Sequence, residues 1–404
     1  MTRRTKRRLA AVAFFGLSLL ARTSTCLASS FRGLIDPHGF AVDYVDAIDI
    51  SDDGRVVVGA LRMPGEYRYE AFRWTAETGF ERLGILGGGK FRESVALAVS
   101  ADGAVIVGYT TSPDSEDFDE PFRWERSTGM VGLGDLPGGY FHGYASGVSA
   151  DGSVVVGRSS SALAPNSFGE GFRWTAATGM VGLGVLTQHG LDYSFTNGVS
   201  ADGNVIVGTA STDPGSEMFR WTALDGIVPL GNPPGNTGAY GLDISADGSV
   251  LVGYTSGFFE PIRAFRWTAA SGLTVLGDLS GATGSRVWGV SPDGSIVVGA
   301  GFFPDRRVAT IWDEKHGTRE LKPLLLESGL AQEIDGWTIE GAGRVLPDNV
   351  TILGGGINPA GQQDGFIAQL GPPSIVQIPT ASPTMLAIFA ALLAVAAVGV
   401  LRLR

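Results

Sequence analysis

The sequence predicts an all-β protein built from repeated four-stranded units. Of its 404 residues, 60 are glycine and only 18% are charged. Valine, isoleucine, threonine and aromatic residues occur in short runs bounded by turn residues, as expected for many short strands. Helical periodicity is hard to find between Ser29 and Leu370. A segment of about 47 residues recurs along the chain, and such a period decides the fold before any local assignment.

The repeated unit is clearest at residues 149–157, where Ser-Ala-Asp-Gly precedes a valine-rich strand. The unit continues with Phe172-Arg173-Trp174 and, after a Thr-Gly turn, with residues 180–186. We predict strands at 144–149, 154–157, 171–175 and 180–186, which we name a, b, c and d. Equivalent turns begin at Ser51, Ser100, Ser200, Ser245 and Ser291, and equivalent Phe-Arg-Trp segments end at Trp74, Trp124, Trp221 and Trp267.

Four short strands per period of this length predict a β-propeller of four-stranded blades. Six copies are clear, and residues 346–354 form a divergent seventh, in which Asn349 replaces the turn glycine and Ala368 takes the tryptophan position. That copy lacks a strand d, whereas residues 31–36 resemble one. We therefore expect seven blades over residues 31–370, with the ring closed by pairing of the N-terminal strand with residues 365–370.

Residues 1–28 have the organisation of a secretory signal peptide: five basic residues, an apolar run from Leu9 to Leu20, and small residues before the cleavage point. A lipoprotein signal at Cys26 and a twin-arginine signal at Arg7-Arg8 are the alternatives. Cys26 is the only cysteine, so cleavage after Ala28 leaves no thiol for a disulfide, a metal site or a nucleophile.

The C-terminal end has the organisation of a membrane anchor. Residues 371–383 form a Pro-rich linker, and residues 384–404 contain an uncharged run, Met385 to Leu401, followed by Arg402 and Arg404. At about 1.5 Å per residue the run spans about 25 Å as a helix, enough for a thin bilayer. Its basic end favours the cytoplasmic side, which places the repeats outside the inner membrane. A buried core helix is the alternative.

Two resemblances follow from these motifs. The combination of 71–74 (Ala-Phe-Arg-Trp), 83–88 and 100–108 resembles the extracellular HAF-repeat family of bacterial proteins, although Phe-Arg-Trp stands where that family often has His-Ala-Phe-x-Trp. The tail from Pro379 is similar to a PEP-CTERM sorting signal, with Ala381-Ser382-Pro383 in place of Pro-Glu-Pro. The resemblances imply an extracellular propeller and processing by an exosortase-type enzyme, with simple membrane anchoring as the alternative.

Residues shared by all copies are expected to be structural. The repeated tryptophans are predicted to pack between blades. Each repeated aspartate supplies one carboxylate in a tight turn, too few oxygens for Ca²⁺, so we assign it to turn formation. The repeated arginines, such as Arg173, are predicted to contact aspartates such as Asp151.

Function is expected where the copies differ, on the b–c loops and d–a connections that emerge at one face. Aromatic rings beside carboxylates there suit carbohydrate or peptide binding. Ordinary solvated loops are the alternative. The candidate ligand-binding residues are Tyr67, Tyr69, Asp117, Asp119, Tyr140, Phe141, His142, Tyr193, Phe258, Phe259 and Phe302.

No catalytic, cofactor-binding or metal-binding motif is recognisable in the sequence. The net charge of −11 disfavours nucleic-acid binding. The leading prediction is an exported, membrane- or surface-tethered, non-enzymatic binding module of the cell envelope, with a polysaccharide or an envelope protein as partner. The alternatives are a carbohydrate-active hydrolase or lyase and a structural envelope component without a discrete ligand.

Overall fold

The computed structural model describes residues 29–39, 42–87, 92–113, 118–165, 168–186, 192–213, 215–257 and 260–371. The predicted signal peptide, almost all of the linker and the predicted membrane tail lie outside these ranges. Within the described ranges the chain forms 28 strands and one short helix.

The first half of the chain contains these strands: β1 (Ser30–Gly33), β2 (Tyr44–Ile50), β3 (Val57–Arg62), β4 (Glu70–Thr75), β5 (Gly79–Arg82), β6 (Ser94–Val99), β7 (Val105–Thr111), β8 (Asp119–Glu125), β9 (Gly129–Gly132), β10 (Gly143–Val148), β11 (Val154–Ser159), β12 (Glu170–Thr175) and β13 (Gly179–Gly182).

The second half contains β14 (Ser194–Val199), β15 (Ile206–Thr212), β16 (Gly215–Thr222), β17 (Gly226–Pro229), β18 (Gly238–Ile244), β19 (Val250–Ser256), β20 (Arg263–Thr268), β21 (Gly272–Val275), β22 (Gly284–Val290), β23 (Ile296–Phe302), β24 (Arg307–Asp313), β25 (Gly317–Glu320), α1 (Leu321–Glu327), β26 (Thr338–Val345), β27 (Thr351–Ile357) and β28 (Gln363–Gln369).

Consecutive strands pair antiparallel into four-stranded sheets, as the repeat predicts. Five sheets are separate, and an eight-stranded sheet consists of β14–β17 and β18–β21 joined by one parallel pair between Ser216 and Gly238. The predicted strands a, b and c are observed within about two residues. Strand d is shorter than predicted, and β13 ends at Gly182. The N–H of Leu183 still donates to Gly171, and beyond it the chain leaves the sheet to reach the next unit.

The N-terminal strand completes the last sheet, which has the order β1-β28-β27-β26. Phe31 lies opposite Ala368, and Arg32 lies opposite Ile367. This is the pairing that the sequence predicts, because β28 has no strand of its own on that edge. Phe31 also stacks on Phe366 at 5.1 Å and meets Trp337 edge-on at 5.3 Å.

Neighbouring sheets pack face to face through apolar side chains. Val58 and Ala71 of one sheet form a core cluster with Ile106, Phe122 and Trp124 of the next, which confirms the predicted position of the tryptophan. The last sheet packs on the first in the same way, through Leu346, Leu353 and Ile367. The phenylalanine of every Phe-Arg-Trp segment is fully buried, and so is the equivalent Phe366 of the last sheet.

A backbone connection also joins successive sheets at the Ser-x-Asp-Gly turns. The N–H of Asp52 donates to the carbonyl of Ala101, and the N–H of Ala101 donates to Ala150, at 3.0 and 3.1 Å. The series continues through Ala201 and Ala246 to the carbonyl of Pro292. It stops there because Pro292 has no N–H to donate.

The turn glycine is required for two reasons. Gly152 has a φ of +72°, and a Cβ at that position would approach Val105 Cγ2 of the preceding sheet at 2.4 Å. In the last sheet Asn349 takes this place with a φ of 59°, as predicted from the tolerance of Asn for that conformation.

The helix α1 is the one element that the repeat does not predict. It lies between β25 and β26, and Leu321 and Leu325 are buried in the core cluster of the last sheet. Seven residues are too few for an amphipathic pattern to stand out from the sequence.

Candidate binding site

The Ser-x-Asp-Gly segments form hydrogen-bonded turns, as predicted. In the third sheet Ser149 Oγ donates to Asp151 Oδ1 at 2.7 Å and accepts the N–H of Val154 at 3.0 Å. The N–H of Ser153 also donates to Asp151, and these hydrogen bonds lower the pKa of Asp151. The same bonds recur at Ser51, Ser100, Ser200, Ser245 and Ser291.

Three of the repeated arginines contact a different group from the one predicted. Arg123 and Arg173 donate to the carbonyl oxygens of Gly152 and Gly203, the turn glycines of the following sheets, at 3.3 and 3.4 Å. Arg266 donates to Gly294 in the same way. The proposed Arg–Asp contact is replaced by an Arg–carbonyl contact because Ser and backbone N–H groups already surround the aspartate in the turn.

We call the end of the sheets that carries these turns the turn face, and the opposite end, with the b–c loops and d–a connections, the loop face. The predicted binding residues that the structure describes lie on the loop face but do not form a single site. Tyr67 and Tyr140 are 97% and 69% exposed. Tyr69 meets Tyr44 edge-on, and Tyr193 lies beside Phe168. Phe141 and Phe302 are half-buried, while Asp117, Phe258 and Phe259 lie outside the described residues.

Two of the predicted residues, Asp119 and His142, belong to a compact group that we call the rim cluster. The Tyr144 hydroxyl donates to Asp119 Oδ2 at 2.6 Å and lies 3.3 Å from His142 Nε2. The Arg158 guanidinium covers the Tyr144 ring at 4.5 Å, and Tyr109 meets that ring edge-on at 4.6 Å. The rim cluster therefore comprises Tyr109, Asp119, His142, Tyr144 and Arg158.

The electrostatics of the rim cluster keep its tyrosines protonated. Burial and the bond to Asp119 raise the pKa of Tyr144 to about 12. Burial, together with the charges of Glu93 and Asp119, raises the pKa of Tyr109 far above its usual value. Both hydroxyls therefore stay protonated at neutral pH, and that of Tyr144 donates to Asp119.

A cavity of about 600 Å³ lies at the centre of the ring that the sheets form. Its wall includes residues of the first strand of each copy of the repeat, namely β2, β6, β10, β14, β18, β22 and β26. Each of these strands has a bulge, and in six of them the bulge falls three residues before the turn serine. A bulge sits at the matching place in β26. The bulge residues that line this central channel are Ile48, Leu97, Ser146, Asn197, Leu242, Trp288 and Gly343.

Four charged residues meet in the channel next to the bulges; we call Asp49, Asp52, Asp243 and Arg344 the Arg344 cluster. The Arg344 nitrogens lie 3.6 Å from Asp49, 3.8 Å from Asp243 and 4.0 Å from Asp52. Backbone N–H groups of Val99 and Val290 in neighbouring sheets hold Asp49 and Asp243 at 2.9 Å. Arg344 thus connects the last sheet to the sheets of β2 and β18.

Sequence reasoning missed the Arg344 cluster although a signal was present. The position two residues before the turn serine is Asp49 in the first copy, Asp243 in the fifth and Arg344 in the last, and Ala or Gly in the other four. Charged residues replacing small ones at one aligned position indicate an interaction peculiar to those copies. The tyrosines and arginine of the rim cluster were missed because they lie on strands a and b rather than on loops.

The sheets surround one channel, each packs on the next, and the last packs on the first. The chain folds as a β-propeller. Several solved structures are similar to this chain. The oligogalacturonate lyase of Vibrio parahaemolyticus is 11% identical, with a TM-score of 0.53 over 85% of this chain and 97% of that chain. The β-propeller domain of the trilobed protease of Pyrococcus furiosus is 11% identical, with a TM-score of 0.48 over 81% of this chain and 95% of that one.

A third similar structure is puromycin hydrolase, 15% identical, with a TM-score of 0.54 over 87% of this chain. The match covers 57% of the hydrolase chain, little more than half of its length. No protein-family model matches the sequence, and no curated protein matches it. At these identities the likeness concerns the fold alone.

Across the described part of residues 29–371, no helix is long and apolar enough to cross a membrane. In the same ranges, no group of three or more His, Cys, Asp or Glu side chains has the arrangement of a metal site.

Proposed function

We propose that the protein is an exported, seven-bladed propeller whose loop face binds a carbohydrate polymer of the cell envelope without chemical turnover. The observation that carries this proposal is the row of rings Phe118, His142, Tyr144 and Tyr109, in which successive ring centroids lie 4.6 to 6.2 Å apart. Phe118, the exposed ring of the row, is suited to cover the apolar face of a sugar, while a carboxylate such as Asp119 accepts hydrogen bonds from hydroxyl groups.

Seven blades account for the sheet pattern. The eight-stranded sheet divides into two meanders at its single parallel pair, and each meander contains one complete copy of the repeat. The seven first strands that line the channel then represent one blade each.

Export rests on the sequence. Residues 1–28 supply the signal peptide, and the tail at 384–404 supplies the membrane anchor or sorting signal. The resemblance to HAF-repeat and PEP-CTERM proteins agrees with a position at the cell surface or on the periplasmic side, and with an exosortase-type enzyme as a processing partner.

Other exposed rings give the loop face further contact area. Tyr67 and Tyr140 project from loops of the first and third blades, and Phe118 is 54% exposed. Because stacked rings contribute about 0.5 to 1.5 kcal/mol each, loss of one ring is expected to weaken binding by about 2- to 10-fold.

The test is binding of the exported propeller to immobilised neutral polysaccharides and to polygalacturonate. We expect Tyr67→Ala and Tyr140→Ala to weaken binding. The control is Leu224→Ala, because Leu224 is equally exposed, at 93%, but lies on the turn face. Equal binding by all variants, or no binding to any polymer, would refute the proposal.

A polysaccharide lyase is the second candidate, favoured by the contact of Tyr144 with both Asp119 and His142 and by the fold of the Vibrio lyase. The high pKa of Tyr144 argues against it as a base. Ultraviolet absorbance of an unsaturated product from polygalacturonate, lost in Tyr144→Phe, would establish turnover and replace the binding proposal.

A further inference from the structure

We infer that the central channel is a second binding site, which takes one neutral sugar unit through the Arg344 cluster and Trp288. The inference deepens the proposed carbohydrate binding and rests on it. The channel is separate from the exposed rings of the loop face, and its wall consists of strand residues and of residues from the Ser-x-Asp-Gly turns.

The geometry of the Arg344 cluster favours a hydroxyl group. The nitrogen-to-oxygen distances of 3.6 to 4.0 Å are too long for direct hydrogen bonds, so among the described residues Arg344 has ion-pair partners but no hydrogen-bond acceptor. One oxygen placed about 2.8 Å from both atoms bridges such a gap. A hydroxyl accepts from the guanidinium and donates to the carboxylate at the same time.

The carboxylates are fixed in place before any ligand arrives. Asp49 accepts the backbone N–H groups of Ile50 and Val99, and Asp243 accepts that of Val290. Their orientation therefore does not depend on Arg344. A site whose acceptors are already oriented loses little conformational freedom when it binds a ligand.

The charge of the channel excludes an acidic sugar. Its charged lining residues are four carboxylates and two guanidiniums. Asp46 and Arg307 are exposed at the loop face, whereas Asp52 belongs to a turn at the turn face and the other three lie between these ends. An organic cation is also disfavoured, because Arg344 already occupies the position between the carboxylates. A neutral polyol satisfies the donors and acceptors without adding charge.

Trp288 supplies the apolar contact. It is the bulge residue of β22 and lines the channel, and its ring lies against Gly341, where a Cβ would come within 3.1 Å. The Arg307 guanidinium is 5.9 Å from its ring centroid. The cavity volume of about 600 Å³ lies within the range of about 300 to 1,000 Å³ for small-molecule sites.

The experiment is saturation-transfer NMR titration of the folded propeller with glucose, mannose and galactose, and with glucuronate as the acidic match. We expect a neutral hexose to bind with a dissociation constant on the order of 1 mM, and glucuronate at least about 5-fold more weakly, a difference of about 1 kcal/mol. Arg344→Lys, Asp243→Asn and Trp288→Leu should each weaken hexose binding by about 5-fold or more. Trp288→Leu keeps the test valid if a charge variant fails to fold.

The controls separate this inference from the loop-face proposal. Asp335→Asn removes an exposed carboxylate outside the channel and should leave hexose binding unchanged. Hexose binding that is lost in Tyr67→Ala but kept in the channel variants would overturn the channel site and leave the loop face as the binding surface. Preference for glucuronate would overturn the assignment of a neutral sugar, and no hexose binding would leave the cluster a structural role alone. Channel-dependent hexose binding without polymer binding would retain the site and refute the proposed function.

Discussion

The third sheet, β10–β13, and the closing sheet, β26–β28 with β1, perform the same structural task with different residues. In the third sheet Ser149 and Asp151 share the turn, Gly152 has the positive φ, and Trp174 pairs with Val155. The closing sheet has Leu346, Asp348, Asn349 and Ala368 at these places. The comparison shows that each of these positions needs a stabilising contact, which different residues can provide.

The closing sheet replaces each lost contact from nearby. Asp348 accepts the N–H groups of Val350 and Thr351 and the hydroxyl of Thr351, which substitutes for the missing serine. Phe31 stacks on Phe366 and Trp337 meets both rings edge-on, in the core cluster that also contains Ala368. The substitutes come from three separate parts of the chain, so this sheet depends more than the others on long-range contacts.

The largest expected effect is that of Phe31→Ala, compared with Phe80→Ala at the matching place of the first sheet. Both side chains are 8% exposed, and a truncation of this kind costs about 3 to 5 kcal/mol. In addition, β1 has no turn linking it to β28, whereas β5 follows β4 directly. We therefore expect Phe31→Ala to speed hydrogen exchange of the β28 amides, measured by mass spectrometry.

Phe80→Ala should reduce the urea unfolding midpoint without selective exchange in its own sheet. Equal exchange of β28 and β4 in the two variants would contradict the distinction between the closing sheet and the others.

An intermediate effect is expected for the two kinds of turn. Ser149→Ala leaves the buried N–H of Val154 without its acceptor, which costs about 1 to 3 kcal/mol. Asp348→Ala should cost a similar amount in the closing sheet, because Asp348 performs the same task there. Urea unfolding measures both, with Ser127→Ala, in an exposed turn, as the control. A negligible effect of Asp348→Ala would show that the closing turn does not need a side-chain acceptor.

The smallest effect concerns Asp364 of β28, whose pKa burial raises to about 6. Because the folded protein binds this proton more tightly than the unfolded chain does, Asp364 makes the free energy of unfolding rise as the pH falls from about 7 to about 4. Asp364→Asn should remove this rise, stabilising the protein at pH 7 by about 1 kcal/mol.

The measurement is the difference between wild type and Asp364→Asn in urea unfolding at pH 4, 6 and 7, with Asp335→Asn as the exposed control. A difference that does not change with pH would contradict the raised pKa. The turn aspartates do not affect this measurement. Because their pKa values are lowered in the folded protein, their contribution to the free energy of unfolding is lost only below about pH 4.

Much of the fold was predictable because its signals are local and repeated. Three features each follow from a few adjacent residues: the Asp-Gly turn, the alternation of side chains between the two faces of the strand around Phe172, and the resemblance of the segment at Phe31 to a strand d. The rim cluster was half predicted: Asp119 and His142 belong to variable segments, but Tyr144 and Arg158 meet them only through the pairing of β10 with β11. The Arg344 cluster joins residues almost 300 positions apart, and only the curvature of the ring brings Asp49 to Arg344.

Pairing of β1 with β28 gives the protein a defined mechanical behaviour. Ser30 lies opposite Gln369, so the described chain begins and ends at the same end of an antiparallel pair. Tension applied between them would load the backbone hydrogen bonds one after another instead of together, starting at Ser30. The ring is therefore expected to unzip at low force from this point, while a pull across any other sheet would meet the resistance of a closed structure.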